Sequence, residues 1–347
     1  MRRARAFATI LGAFAALSRP TALLAEPDAP VVRSEAPIHE VVLSDGTRRY
    51  SVPIKIGAST VDTGLDTGSV GLRVLERGLA SGDAQVSGGF DSYAYASGTR
   101  LNGVSGEANI VLGGVSARAR IQIVKRVDCA PDIPHCPASL VSATQYGIQG
   151  DGLPGEGFVA IMGVNMGHDP VPNPLIALGV KRWIVELPRP GETTPGRLIL
   201  NPTEAETAGF VPMPLMTDVL HDSVAGCLVN DASQAKACGP LMMDTGAPGI
   251  RVVNGGLGAR PWPVGAAATL VFFDGARHAV AAEHLTIGLR AHASHLMFDE
   301  EPRRPDTAIF PGLSPYFAFS VLYDPGRGAI GLKPRTPPPG GPVGAVN

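Results

Sequence analysis

The sequence predicts an all-β protein built from two related halves. Short apolar runs such as Ile121-Gln122-Ile123-Val124 and Leu270-Val271-Phe272-Phe273 alternate with turn residues, and long helix-period stretches are scarce. Gly (43) and Pro (32) are abundant enough among 347 residues to punctuate many short strands. One phrase is written twice: residues 65–75 read LDTGSVGLRVL and residues 243–253 read MDTGAPGIRVV. A repeat half a chain apart indicates two copies of a domain-sized unit rather than a solenoid.

The elements follow in chain order. Residues 1–25 read as an export signal, with Arg2, Arg3 and Arg5 before the apolar stretch 6–17 and a cleavage site after Ala25. Residues 26–37 read as a flexible leader, with no room for a long basic pro-segment. The first strand signals are His39 to Leu43 and Tyr50 to Ile56. A first β lobe is assigned to 38–195 and a second to 196–335, joined near the Pro/Gly cluster 188–196. Residues 174–178 and 203–208 are expected to form short helices. Residues 336–347 form a Pro/Gly tail with little to bury, expected to be disordered.

Composition narrows the function. A net charge of −2 gives no basic footprint, so no nucleic-acid partner is expected. No later segment is long and apolar enough to span a bilayer, so no stable membrane insertion is expected after signal removal. Four cysteines suit an oxidising compartment, periplasmic or extracellular. Of three connectivities, the local pairs Cys129–Cys136 and Cys227–Cys238 are favoured, each stapling a hairpin or loop. Neither a metal nor a cofactor is expected. His284, His292 and His295 read as surface residues, and His221-Asp222-Ser223 as a polar loop.

The repeated phrase carries chemistry. Each copy puts an aspartate (Asp66, Asp244) at the end of an apolar strand, on a turn made by Gly68 or Gly246. Two carboxylates held close cannot both ionise, so the pair supplies an acid and a base. Thr67 and Thr245 are placed to hydrogen-bond the opposite loop, and Ser69 to reach Asp66. Asp62-Thr63-Gly64 lacks the continuation of the other two motifs and reads as a turn or strand.

These residues resemble the pepsin-like aspartic peptidases, from about residue 45 to 335. Ile54-Lys55-Ile56-Gly57 is similar to the family's approach strand. Tyr95-Ala96-Ser97-Gly98, followed by Gly103, Gly106 and Val111-Leu112-Gly113-Gly114, resembles its flap hairpin. Phe158 to Gly163 and Ile309 to Gly312 resemble the loops through which the two turns thread, and Tyr316 to Lys333 its closing strands. The resemblance implies a bilobal pepsin-like acid protease fold, with six-stranded-barrel-like lobes and a cleft between them. It implies an exported, monomeric endopeptidase acting on extended polypeptide by a two-Asp activated-water mechanism. Asp66 and Asp244 would be catalytic. Tyr95 (Tyr93 as the fallback), Ser97 and Gly98 would cover the substrate, with Gly98 and its neighbours donating N–H groups to it. Gly163 and Gly312 would support the loops, and apolar pockets would select side chains.

The sequence also departs from the family. Arg73 replaces a Trp that commonly hydrogen-bonds the flap tyrosine, and Arg251 repeats it. Ala247 removes a hydroxyl near Asp244, Pro248 stiffens that loop, and Pro311 and Leu313 alter the second Gly loop. These departures leave open a weakly active or inactive relative that acts as a binding protein or inhibitor.

Overall fold

The computed structural model describes residues 32–217, 221–254, 262–300 and 306–336. The expected signal, the first half of the leader and the tail beyond 336 lie outside them. Twenty strands and three short α-helices occur among the described residues, arranged in two sheets. No described helix is long and apolar enough to cross a membrane.

Strand patterning follows burial. In Arg48–Ile56, the buried Val52, Ile54 and Ile56 alternate with Pro53 and the exposed Lys55, as a strand half-covered by a core requires. Val70–Leu75 is buried throughout because it lies between Ala160–Val164 on one side and Val115–Cys129 on the other. Asp62-Thr63-Gly64 lies inside the strand Ser59–Asp66. That strand runs parallel to Ala160–Val164 and ends on the first aspartate. Short helices form at Pro174–Ala177 and Glu204–Thr207, where expected. The second is closed by a capping box between Thr203 and Glu206.

The sheets do not divide at residue 195. The thirteen-stranded sheet holds every strand up to Gly196–Leu200, and also Val211–Pro214, Phe319–Asp324 and Ala329–Pro334. Phe319–Asp324 pairs with Trp183–Glu186, so late chain completes a sheet begun early. The seven-stranded sheet contains only strands between Ser223 and Phe310. Hydrogen-bonded neighbours far apart in sequence produce this division, and local patterning does not encode them. For the same reason Ser34–Val42 begins earlier than its apolar signal. Its first residues pair with Gly196–Leu200 and its last with Arg48–Ile56. Residues 34–37 are therefore strand, not leader. Residues 316–318, the start of the expected closing strands, instead belong to the short helix Ser314–Ala318.

Both disulfides are the local pairs, Cys129–Cys136 and Cys227–Cys238. Cys227 and Cys238 face each other directly across adjacent antiparallel strands. Cys129 ends its strand opposite Thr99, which ties the first disulfide loop to the tip of the hairpin at 95–98.

Candidate functional site: two facing Asp-Thr-Gly turns

Ser59–Asp66 delivers Asp66 from the large sheet, and Lys236–Met242 leads to Asp244 from the small one. The turns lock reciprocally. Thr67 N donates to Thr245 Oγ1 at 3.1 Å and Thr245 N donates to Thr67 Oγ1 at 3.0 Å. Each hydroxyl then donates across the gap, Thr67 to Met243 O and Thr245 to Leu65 O. These threonine hydroxyls and N–H groups all have partners at a buried junction, which suits a rigid support.

The glycines lie where the sequence places them, for a reason of space. A Cβ on Gly68 would fall 2.3 Å from Asp244 Cγ, and one on Gly246 would fall 2.8 Å from Asp66 Oδ1. Each turn's glycine therefore lies against the other turn's carboxylate. Gly163 packs on Ser69 and Val70, and Gly312 (φ +60°) on the carbonyls of Ala247 and Gly249.

The two carboxyls are inequivalent. Asp66 accepts from Ser69 Oγ at 2.6 Å and Gly68 N at 2.9 Å. Asp244 accepts from Gly246 N at 2.7 Å, and Ala247 offers it no hydroxyl. Burial, the charge of Asp66 and a hydrogen bond to Asp66 hold the Asp244 carboxyl well above the usual carboxylate range. The Gly246 N–H and Arg49 oppose this more weakly. The donors collect on Asp66, whereas the site favours the protonated form of the Asp244 carboxyl.

A cavity of about 440 Å³ opens onto the pair, lined by Asp66, Asp244, Tyr95, Ser97, Gln149 and Asp151 among others. The hairpin Ala84–Ala94 with Thr99–Leu112 brings Tyr95 and Ser97 to it. Of the two hairpin tyrosines, Tyr95 is the one that lines it. Tyr93 sits behind, edge-on to Tyr95 with ring centroids 5.0 Å apart. Gly98 differs from expectation. Its φ of +84° closes the hairpin turn, and its N–H is engaged with Tyr95 O at 2.9 Å. Gly98 therefore shapes the tip and offers no N–H to a ligand.

Arg73 makes a contact that its residue type did not suggest. Its fully buried guanidinium lies 3.6 Å from the Tyr93 ring centroid, pairs with Asp169 at 2.8 Å and donates to Val70 O. Through Tyr93 it braces the hairpin carrying Tyr95, by a cation–π contact rather than a hydrogen bond to Tyr95. Gly71 (φ +98°) makes room, since a Cβ there would strike Val171 O at 2.4 Å.

Other contributors were not legible beforehand. Arg49, also buried, donates to Gly246 O at 2.6 Å and pairs with Asp151. It ties the second turn to the large sheet. Asn165 donates its side-chain amide to Thr67 O and its backbone N–H to Ser69 O. Tyr316 Oη lies 2.7 Å from Thr67 Oγ1, and Tyr323 Oη lies 2.6 Å from Tyr316 Oη. The Thr67 proton is committed to Met243 O, so Tyr316 donates to Thr67 and Tyr323 donates to Tyr316. The sequence carries one weak signal for this, two tyrosines in the apolar closing segment.

This hydroxyl chain gives an expected result. Tyr316→Phe should cost about 1–3 kcal/mol, because it orphans the buried Tyr323 hydroxyl as well as removing a bond. Adding Tyr323→Phe should recover part of that loss. Denaturant unfolding of both single variants and the double would measure it, and strictly additive losses would contradict the chain.

Compared with known proteins, the sequence matches no family profile and no curated sequence.

Proposed function

We propose that the protein is an aspartic endopeptidase of pepsin-like, two-lobed architecture, with Asp66 and Asp244 as its catalytic pair. The observation that carries this reading is the reciprocal seating of the two turns. Cross-bonded threonines and paired glycines hold two carboxyls together at the floor of an open cavity.

In this reading, a water sits between the two carboxyls. Asp66, charged, removes a proton from it as its oxygen attacks the peptide carbonyl carbon. Asp244 donates its proton to the carbonyl oxygen, giving a neutral gem-diol. Asp66 then passes its acquired proton to the departing amine, and Asp244 recovers one from a diol hydroxyl as the carboxyl product forms. The hairpin tip with Tyr95 and Ser97 acts as the flap. Two disulfides agree with an exported chain working in an oxidising compartment.

Digestion of an unfolded protein between pH 3 and pH 8, with and without pepstatin, tests the proposal. Asp66→Asn and Asp244→Asn should each lower cleavage by roughly a thousandfold or more. A folded wild-type chain that cleaves nothing at any pH would overturn it in favour of a binding protein of the same architecture.

A further inference from the structure

The wall of the cavity beside the aspartate pair is not wholly apolar. It carries two guanidinium–carboxylate pairs, Arg49 with Asp151 and Arg251 with Asp299. Their exposures are unequal in the same sense. The Arg49 side chain is 4% exposed against 35% for Asp151, and Arg251 is 30% exposed against 43% for Asp299. The guanidinium of Arg49 is spent on Asp151 and on Gly246 O, behind the surface of the cleft. Both pairs therefore turn their carboxylate side toward an incoming chain. Asp66 adds a further negative charge on the floor. Around these carboxylates lie Tyr146, Ile148 and Met297, all lining the same cavity. Apolar walls that end in carboxylates complement a long aliphatic stem with a cationic head.

We infer that the cleft selects polypeptides carrying a lysine or arginine side chain close to the bond it acts on, with Asp299 and Asp151 as the specificity-determining residues. The inference rests on the peptidase reading for its substrate class, but the preference can be read without cleavage. Asp299 takes no part in the hydrogen bonds that hold the aspartate pair, so substituting it leaves the reacting groups in place; Asp151 reaches the second turn only through Arg49, and Asp151→Asn keeps an acceptor oxygen for that guanidinium. Carboxylates that are already ion-paired attract a second cation less than bare ones. The effect on binding is therefore a modest factor rather than orders of magnitude.

The test uses two labelled decapeptides that differ only in a central lysine or its uncharged isostere norleucine. Binding is measured by fluorescence polarisation to the Asp244→Asn chain, in which Asn replaces a carboxyl argued to be protonated and the charge on Asp66 is retained. The lysine peptide is expected to bind roughly fivefold tighter at low salt, with the ratio shrinking as salt is added. Asp299→Asn and Asp151→Asn, each in that background, should bring the ratio toward one. Equal affinities, no binding of either peptide, or a ratio unmoved by both substitutions overturns the inference. Cleavage by the wild-type chain separates the two readings. If it cuts both peptides equally, the peptidase stands and the preference falls. If it binds the lysine peptide preferentially but cuts neither, the preference stands and the peptidase falls.

Discussion

Gly68→Ala is expected to abolish peptide cleavage, by at least roughly a thousandfold, while Gly246→Ala leaves measurable activity. The difference is geometric. The methyl on residue 68 would sit 2.3 Å from Asp244 Cγ and within 2.6 Å of both its oxygens, so the whole carboxyl must leave its place. The methyl on residue 246 meets Asp66 Oδ1 at 2.8 Å and Asp66 Cγ at 2.9 Å, a gentler collision. Moving Asp244 breaks its hydrogen bond to Asp66 and unseats the single proton on which the mechanism depends. Overpacking at a buried junction also costs stability, about 1–3 kcal/mol. Cleavage assays and calorimetry on the two variants measure both effects. Similar activities for wild type and Gly68→Ala would mean that the turns do not face each other as described.

The second large effect is on stability against pH. Asp222 and Glu283 are both buried, and burial pushes each carboxyl up to about 7, only partly offset by the Met166 N–H and the Ser314 hydroxyl respectively. Glu283 Oε2 has no hydrogen-bond partner among the described residues. The folded chain thus binds these protons more tightly than the unfolded chain, whose carboxyls titrate near 3.8 and 4.5. Between those values and about 7 the native state holds more protons, so stability must fall as pH rises through that window. The raised Asp244 carboxyl acts in the same direction. A tenfold difference in proton affinity between the folded and unfolded chains is worth about 1.4 kcal/mol, so several kcal/mol are at stake. Toward stronger acid the trend reverses, as carboxylates such as Glu206, held down to about 2 by Arg33, lose their charge. Greatest stability is expected in mild acid. Glu283→Gln and Asp222→Asn keep an acceptor oxygen and remove the titration. Each should raise the melting temperature at pH 8 and leave it nearly unchanged at pH 4. A melting temperature that climbs steadily from pH 4 to pH 7 in the unmodified chain would contradict this account.

The features legible in the sequence were those with a local cause. Asp-Thr-Gly after an apolar strand announced where Asp66 and Asp244 lie. The residue types of Thr67, Thr245 and Ser69 announced their bonds, and the close spacing of the cysteines announced both disulfides. Gly163 and Gly312 were recognisable only through the resemblance of their loops to a known pattern, and each lies in close backbone contact. What stayed hidden depends on chain segments meeting from far away. Arg49 directly precedes the strand signal at Tyr50, and nothing near it signals that it reaches Gly246. Asp151 lay in a Gly-rich turn and Asp222 in an apparently polar loop, yet one lines the cavity and the other is buried. Arg73 stood out in the repeated phrase, but its stacking on Tyr93 required the hairpin to be in place. The extent of the large sheet was concealed for the same reason. Pairing of Phe319–Asp324 with Trp183–Glu186 is a tertiary event, with no counterpart in either segment's pattern.

That sheet has a consequence for the order in which the molecule comes together. Phe319–Asp324 and Ala329–Pro334 sit between Val211–Pro214 and Trp183–Glu186, so no earlier stretch of chain can close the gap. Tyr316, which reaches Thr67, arrives with the same late segment. During synthesis the two aspartates are already made while Tyr316 and the strands that complete the large sheet are still missing. Pairings this distant in sequence also assemble slowly. The chain therefore completes its support last: a polypeptide interrupted before residue 316 would carry both aspartates without Tyr316 and without the strands that close the large sheet.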